Sequence, residues 1–172
     1  MTTIADVIRR LRENAHCSVA PPVGLPVTRP GHAIPEDVLE FFRQTGGASL
    51  YAGRDYEFNV LAPGEIQQIN VLLHCAVDAP DISDSWYAVV EDGNGDYLSV
   101  DFDESRLGRC YDSFHETHGL IGQTPVIARS FTELLARLLD NAGAYPYWLR
   151  DDFERLGDAY DDASSDPASR PE

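Results

Sequence analysis

The stretch from Trp86 to Phe102 restricts the possible folds of this chain more than any other part of its sequence. Two runs rich in β-branched and aromatic residues, 86–91 and 96–102, lie on either side of the turn Gly93-Asn94-Gly95. Such runs around a compact glycine turn are typical of a β-hairpin. The pattern therefore predicts antiparallel strand pairing rather than βαβ alternation.

Four further short strands are predicted around this hairpin. They cover residues 48–51, 56–61, 109–112 and 125–128. Helical patterns stand before and after the run of strands. This order predicts an α+β fold with a largely antiparallel or mixed central sheet and helices packed on one face.

Three segments have the apolar spacing and the end signals of amphipathic helices. The first begins at Thr3, with Asp6 three residues on in the manner of a capping box. The second has Pro35 at its first position and ends at Gly46. The third begins at the cap residue Ser130 and covers a run of leucines. A short helical turn is also predicted at Pro63, and residues 72–85 fit a helix, a buried strand or a loop.

The C-terminal end differs in composition from the rest of the chain. We expect one domain over residues 1–144, an acidic amphipathic segment over 145–160 and a disordered tail over 161–172. Leu149, Phe153, Leu156 and Tyr160 fall near helical spacing. They predict a last helix that docks either on the domain or on a partner.

The chain is strongly acidic, with 29 Asp and Glu residues against 13 basic ones and a net charge of −16. Nucleic acids and anionic membranes are polyanions, so this balance argues against both as partners and favours a basic protein. The alternative is that the charge only keeps the chain soluble. No run of about 18 apolar residues occurs, and residues 1–6 do not look like a signal peptide. Three widely spaced cysteines without a CxxC pattern suit reduced thiols, so we expect a cytoplasmic protein.

Two segments resemble metal sites only superficially. Residues 92–96 match the first positions of an EF-hand loop, but Tyr97 replaces the required glycine and Asp103 replaces the final glutamate. His115 and His118 are three residues apart in a predicted loop, whereas a zincin needs a spacing of four on a helix. We therefore predict a hairpin turn and a surface loop, with no metal.

No catalytic motif stands out. Cys110 has His115 nearby in sequence, but a strand cysteine between Arg109 and Tyr111 is typical of a packed position. There is no G-x-S-x-G elbow, P-loop or G-x-G-x-x-G. The many carboxylates leave a carboxylate-dependent hydrolase open as an alternative. We otherwise predict a protein that is not an enzyme and needs no cofactor.

Four blocks of sequence, in this order, resemble the SUKH superfamily. The first is Ile34–Gly47, with Ile-Pro before an amphipathic helix and Thr-Gly-Gly after it, where the superfamily has Leu-Pro and Asn-Gly-Gly. The second is the strand and Pro-Gly-Glu-Ile turn of Tyr56–Ile66. The third is the hairpin Trp86–Asp101, and the fourth is the Ser-Phe-x-Glu-Leu-Leu helix start at Ser130. Together they span about residues 34–140.

This resemblance implies a non-catalytic protein-binding domain. The superfamily contains the yeast cell-wall-assembly regulator and many immunity proteins of bacterial polymorphic toxin systems. We therefore expect an immunity protein that binds and neutralises a cognate polymorphic toxin. The negative charge of the chain favours a basic toxin domain as that partner. The alternative is a regulatory scaffold module, with the C-terminal segment as its docking element. No catalytic residues come with the resemblance.

Nine residues are the predicted partner contacts. Tyr51, Tyr56 and Trp86 are possible aromatic anchors. The acids of the hairpin and its neighbours would meet a basic partner. They are Glu91, Asp92, Asp96, Asp101, Asp103 and Glu104. The alternatives are core packing for Trp86 and a solvated face for the acids.

Overall fold

The computed structural model describes residues 1–75 and 79–161. In this part the chain forms the expected α+β fold. The strands are β1 (Cys17–Val19), β2 (Ala48–Leu50), β3 (Phe58–Val60), β4 (Gln67–Gln68), β5 (Trp86–Asp92), β6 (Tyr97–Asp101), β7 (Cys110–Ser113) and β8 (Val126–Ala128). The helices are α1 (Ile4–Glu13), α2 (Glu36–Gln44), α3 (Ile69–Leu72) and α4 (Phe131–Asn141).

The strands form one open sheet in the order β1-β2-β3-β5-β6-β7-β8, with β4 paired to β5. All the pairings described are antiparallel, which confirms the predicted sheet. The predicted hairpin is β5–β6. Its turn is closed by Asp92, whose Oδ1 accepts hydrogen bonds from the backbone N–H groups of Asn94 and Asp96. Asp92 is thus a turn residue.

The three longer helices contact one another, and α1 and α4 also contact β1 and β8, the two outer strands of the sheet. Phe41 on α2 packs edge-on against Phe131 on α4. Burial raises the pKa of the Cys110 thiol on β7, and the carboxylates of Asp37 on α2 and Glu133 on α4 add to this effect. Cys110 is therefore a core residue that faces the helices, as its position in a strand predicts.

The Gly46–Gly47 pair after α2 allows three backbone segments to meet. A Cβ atom on Gly46 would lie 2.2 Å from the carbonyl oxygen of Pro21. Gly47 has a φ of +119°, and a Cβ there would lie 2.7 Å from the carbonyl oxygen of Val60. Only glycine fits both positions, because backbone atoms cannot move aside as a side chain can. Close backbone contacts thus explain why the first sequence block ends in two glycines.

The region between β3 and β5 differs in detail from the prediction. A 3-10 turn at Pro63–Glu65 leads into β4 and the short helix α3. The ambiguous segment ends in a 3-10 helix, Ile82–Ser85, directly before β5. Asp81 caps this turn by accepting a hydrogen bond from the backbone N–H of Ser83, so local side-chain bonding decides its structure.

The predicted last helix is wrong. Only Tyr147–Leu149 form a 3-10 turn, and the chain up to Asp161 continues without an α-helix. Three aromatic side chains fix this path: Tyr147 donates to the carbonyl of Ile127, Trp148 to Asp112 and Tyr160 to Asp81. These acceptors are spread over the sheet and the loops beside it, so tertiary contacts outweigh the helical spacing. The predicted tail lies outside the described residues from position 162 onward.

Candidate partner-binding groove

A groove of about 1220 Å³ opens at the end of the sheet where the β5–β6 turn lies. Four segments build it: the loop before β3, the β5–β6 turn, the end of β7 with the loop after it, and the C-terminal segment. Their lining residues fall within 54–58, 92–98, 112–126 and 146–161. The C-terminal segment thus supplies one whole wall.

The groove is acidic. Eight carboxylates line it against three guanidinium groups, an excess of five negative charges. The carboxylates belong to Asp55, Glu57, Asp92, Asp96, Asp112, Asp151, Asp158 and Asp161, and the guanidinium groups to Arg54, Arg150 and Arg155. We call this surface the acidic groove. Its walls also contain aromatic rings, namely Tyr56, Phe58, Tyr97, Phe114, Trp148 and Phe153.

Asp112 lies on the floor of the acidic groove. Its Oδ2 accepts a hydrogen bond of 2.8 Å from Trp148 Nε1. Burial raises the pKa of Asp112 to about 6; the hydrogen bond from Trp148 lowers it, and the charges of Asp96 and Asp92 raise it further. No residue in the described part of the chain forms an ion pair with Asp112. The floor therefore concentrates negative charge without a compensating cation.

Asp96 is held in place by the loop after β7. Its Oδ1 accepts hydrogen bonds from the backbone N–H of His115, at 2.8 Å, and from His115 Nδ1, at 2.9 Å. The second contact raises the pKa of the exposed His115 imidazole. This histidine therefore has its electrostatic partner at the β5–β6 turn, and the described residues contain no cluster of metal ligands.

Glu91 continues the negative charge beyond the groove. Burial raises the pKa of its carboxyl group, and the carboxylates of Glu65, Asp92 and Glu57 act in the same direction. Like charges placed this close weaken one another's ionisation. An approaching cation would relieve this repulsion.

The nine predicted contact residues fall into three sets. Tyr56, Asp92 and Asp96 line the acidic groove, and Glu91 is its neighbour on β5. Asp103 and Glu104 follow β6 at its other end and lie outside the groove. The remaining three are buried and lie outside the groove: Tyr51 is 6%, Trp86 0% and Asp101 0% exposed, whereas Asp96, at 7%, is buried but lines the groove.

The burial of these three residues favours structural roles over their predicted role as contacts. Tyr51 donates its hydroxyl hydrogen to the carbonyl oxygen of Leu139 and anchors α4. Trp86 stacks on Tyr111 at 4.2 Å between ring centroids, so it follows the core-packing alternative. Asp101 accepts hydrogen bonds from side chains in the core.

Asp101 is the centre of a buried polar network. It accepts hydrogen bonds from Ser85 Oγ, Trp86 Nε1 and Tyr111 Oη. It also forms an ion pair of 2.9 Å with Arg106 Nε. A buried carboxylate with this many donors is satisfied, so its role is structural.

Asp112 and Trp148, which meet in the groove, were not among the predicted contacts. Asp112 stood at the end of a predicted strand and had no motif of its own. Trp148 was assigned to a segment expected to dock either on the domain or on a partner. The sequence feature that could have revealed Trp148 is the Tyr-Pro-Tyr-Trp run at 145–148. Three aromatic side chains in an acidic segment indicate that the segment packs on the domain.

The fold and the groove define an α+β domain with an open antiparallel sheet and an acidic, aromatic-walled concave surface. Residues 29–137, more than half of the chain, match the SMI1/KNR4 family (SUKH-1). The chain belongs to this family, as the four sequence blocks predict.

The chain is also similar to immunity protein YokJ of Bacillus subtilis (strain 168). The two are 44% identical over 159 residues, which cover 92% of this chain and 96% of the relative. Since this chain has 172 residues, the similarity reaches past position 137 into the C-terminal wall of the groove. No solved structure is significantly similar. Within the described residues, no helix is long and apolar enough to cross a membrane.

Proposed function

We propose that this chain is an immunity protein, which binds a cognate toxin protein and neutralises it without catalysing a reaction. The observation that carries the proposal is the 44% identity to an immunity protein over nearly the full length of both chains. Membership of the SUKH-1 family agrees with it.

The acidic groove is the proposed contact surface. It combines the features of a protein interface: a concave shape, aromatic walls and one sign of charge. Of the predicted contacts, Tyr56, Asp92 and Asp96 line the groove, and Glu91 lies beside it on β5. Asp103 and Glu104 lie apart from the groove, next to Arg106, and a large partner would reach them from the side. The charge favours a basic toxin domain, because complementary charge speeds association.

The scaffold alternative loses its structural support. It required a free C-terminal docking element, but Tyr147, Trp148 and Tyr160 are buried against this chain's own domain. Two of the carboxylates that the hydrolase alternative could use have structural partners instead, since Asp101 accepts core hydrogen bonds and Asp92 closes a turn. We place the activity in the cytoplasm, because all three cysteines are free thiols.

Affinity capture tests this proposal. The tagged chain is recovered from its native cells at low salt, and co-purifying proteins are identified by mass spectrometry. We expect one stoichiometric, basic, toxin-like protein that dissociates at high salt and whose toxicity the chain suppresses. Capture of a multi-protein assembly, or of a partner whose activity is unchanged, would contradict the proposal.

A further inference from the structure

We propose that the floor of the acidic groove, where Asp112 meets Trp148, is a subsite for one arginine side chain of the partner protein. The proposal rests on the proposed function, because it assumes that the groove receives a protein. It assigns a specific task to two residues outside the predicted contacts.

The geometry provides half of a carboxylate–guanidinium pair. Asp112 is partly buried, lines the groove and is oriented by the 2.8 Å hydrogen bond from Trp148 Nε1. Asp92 and Asp96 line the same groove and add to the negative potential at Asp112. None of the three arginines at the groove forms an ion pair with Asp112, Asp92 or Asp96 among the described residues. Arg150 instead pairs with Asp152, at 3.3 Å.

Fold stability alone does not account for a carboxylate at position 112. An asparagine there could accept the same hydrogen bond from Trp148 without a buried charge. The charged form is disfavoured at this position, which is why the pKa of Asp112 rises to about 6. Groups held in an unfavourable ionisation state are enriched at functional sites. A cation from a partner would remove the disadvantage on binding.

Several features favour arginine over lysine as that cation. A guanidinium is planar, forms two parallel hydrogen bonds to a carboxylate and loses its hydration more easily than an ammonium. It also stacks on aromatic rings. This chain already shows such stacking, with Arg137 over the rings of Tyr147 and Phe153 at 5.4 and 5.8 Å. The walls of the groove offer further rings beside Asp112.

A small-molecule titration observed by NMR tests the subsite directly. The probe is N-acetyl-arginine N-methylamide, added at low salt to the ¹⁵N-labelled full chain. The chain has two tryptophans. The indole N–H of Trp148 bonds to Asp112 in the groove, whereas that of Trp86 bonds to Asp101 in the core. The first signal reports the subsite, and the second is an internal control for the fold.

We expect the arginine probe to shift the Trp148 indole signal with saturation and to leave that of Trp86 in place. The uncharged citrulline analogue should have no effect, and the lysine analogue should bind more weakly. In Asp112→Asn the shift should saturate at a probe concentration at least about tenfold higher. The matched variant Asp140→Asn loses an exposed carboxylate on α4, outside the groove, and should behave like the original chain.

Three results would overturn the subsite: an unmoved Trp148 signal, equal effects of arginine and citrulline, or unchanged binding by Asp112→Asn. Equal binding of lysine would overturn the preference for a guanidinium. These outcomes are separate from the proposed function. If a captured toxin binds Asp112→Asn as tightly as the original chain, the subsite fails and the immunity role stands. If no toxin is captured, the immunity role fails while the titration still reports on the subsite.

Discussion

Asp101 and Asp112 lie on neighbouring strands of the sheet, but their surroundings give them opposite roles. Asp101 has an arginine and three side-chain donors around it. Asp112 has one side-chain donor, Trp148, and two acidic neighbours. The first arrangement stabilises the fold, while the second stores unfavourable charge at a surface groove.

Asp101→Ala should therefore be strongly destabilising. It removes the closer and buried one of the two ion-pair partners of Arg106, the other being Asp103, and it removes an acceptor from Ser85, Trp86 and Tyr111. We expect the free energy of unfolding to fall by about 3–5 kcal/mol, measured by urea denaturation. A change below about 1 kcal/mol would show that this network is not structural.

Asp112→Asn should stabilise the free protein at neutral pH. The folded-state pKa of about 6 lies above the usual aspartate value of 3.8, so the folded protein binds this proton more tightly than the unfolded chain. The resulting destabilisation is complete above pH 6 and disappears as the pH falls towards 4. We expect the variant to gain on the order of 2–3 kcal/mol at pH 7 and nearly nothing at pH 4, measured by denaturation at each pH. A constant difference between the two proteins would contradict this.

Residue type alone could not separate these acids. Glu91, Asp92, Asp96 and Asp101 stand within one hairpin and look equivalent in sequence. The role of each acid depends on which face of the strand it occupies and on which distant residue contacts it. Asp101 meets Tyr111 from the next strand, and Asp96 meets His115 from the loop beyond.

At the scale of elements, the sequence predicted correctly those helices and strands whose formation depends on neighbouring residues. The β5–β6 hairpin follows from its glycine turn, and α1 follows from a capping box that the structure shows between Thr3 and Asp6. The prediction of a last helix was wrong because distant contacts, rather than neighbouring residues, determine the path of that segment. Its apolar spacing is helical, but the partners of Tyr147, Trp148 and Tyr160 lie on separate elements far away in sequence.

Removal of residues 145–172 should therefore damage the whole domain. It withdraws Tyr147, Trp148 and Tyr160 from the core, and burial of such side chains contributes about 1.5–3 kcal/mol each. We expect the free energy of unfolding to fall by more than about 4 kcal/mol. A chain ending at Asp161 keeps these contacts and is the control. Equal denaturation midpoints for the two truncations would show that the segment is not part of the fold.

At the scale of the whole molecule, charge and shape act together. A net charge of −16 repels polyanions at long range and attracts a basic protein. The groove then determines where that protein is bound. Family and charge were readable from the sequence, but the groove was not, because residues as distant as 54 and 161 form it.

The most direct test of this account is the association rate constant between this chain and its captured toxin, measured over a range of salt concentrations. Asp55→Arg with Asp151→Arg reverses two exposed charges at the groove. Glu13→Arg with Asp140→Arg makes the same change in net charge on α1 and α4, outside the groove. We predict at least about tenfold slower association and a weaker salt dependence for the groove variant only. Equal rates for the two variants would contradict the claim that the toxin is bound at the acidic groove.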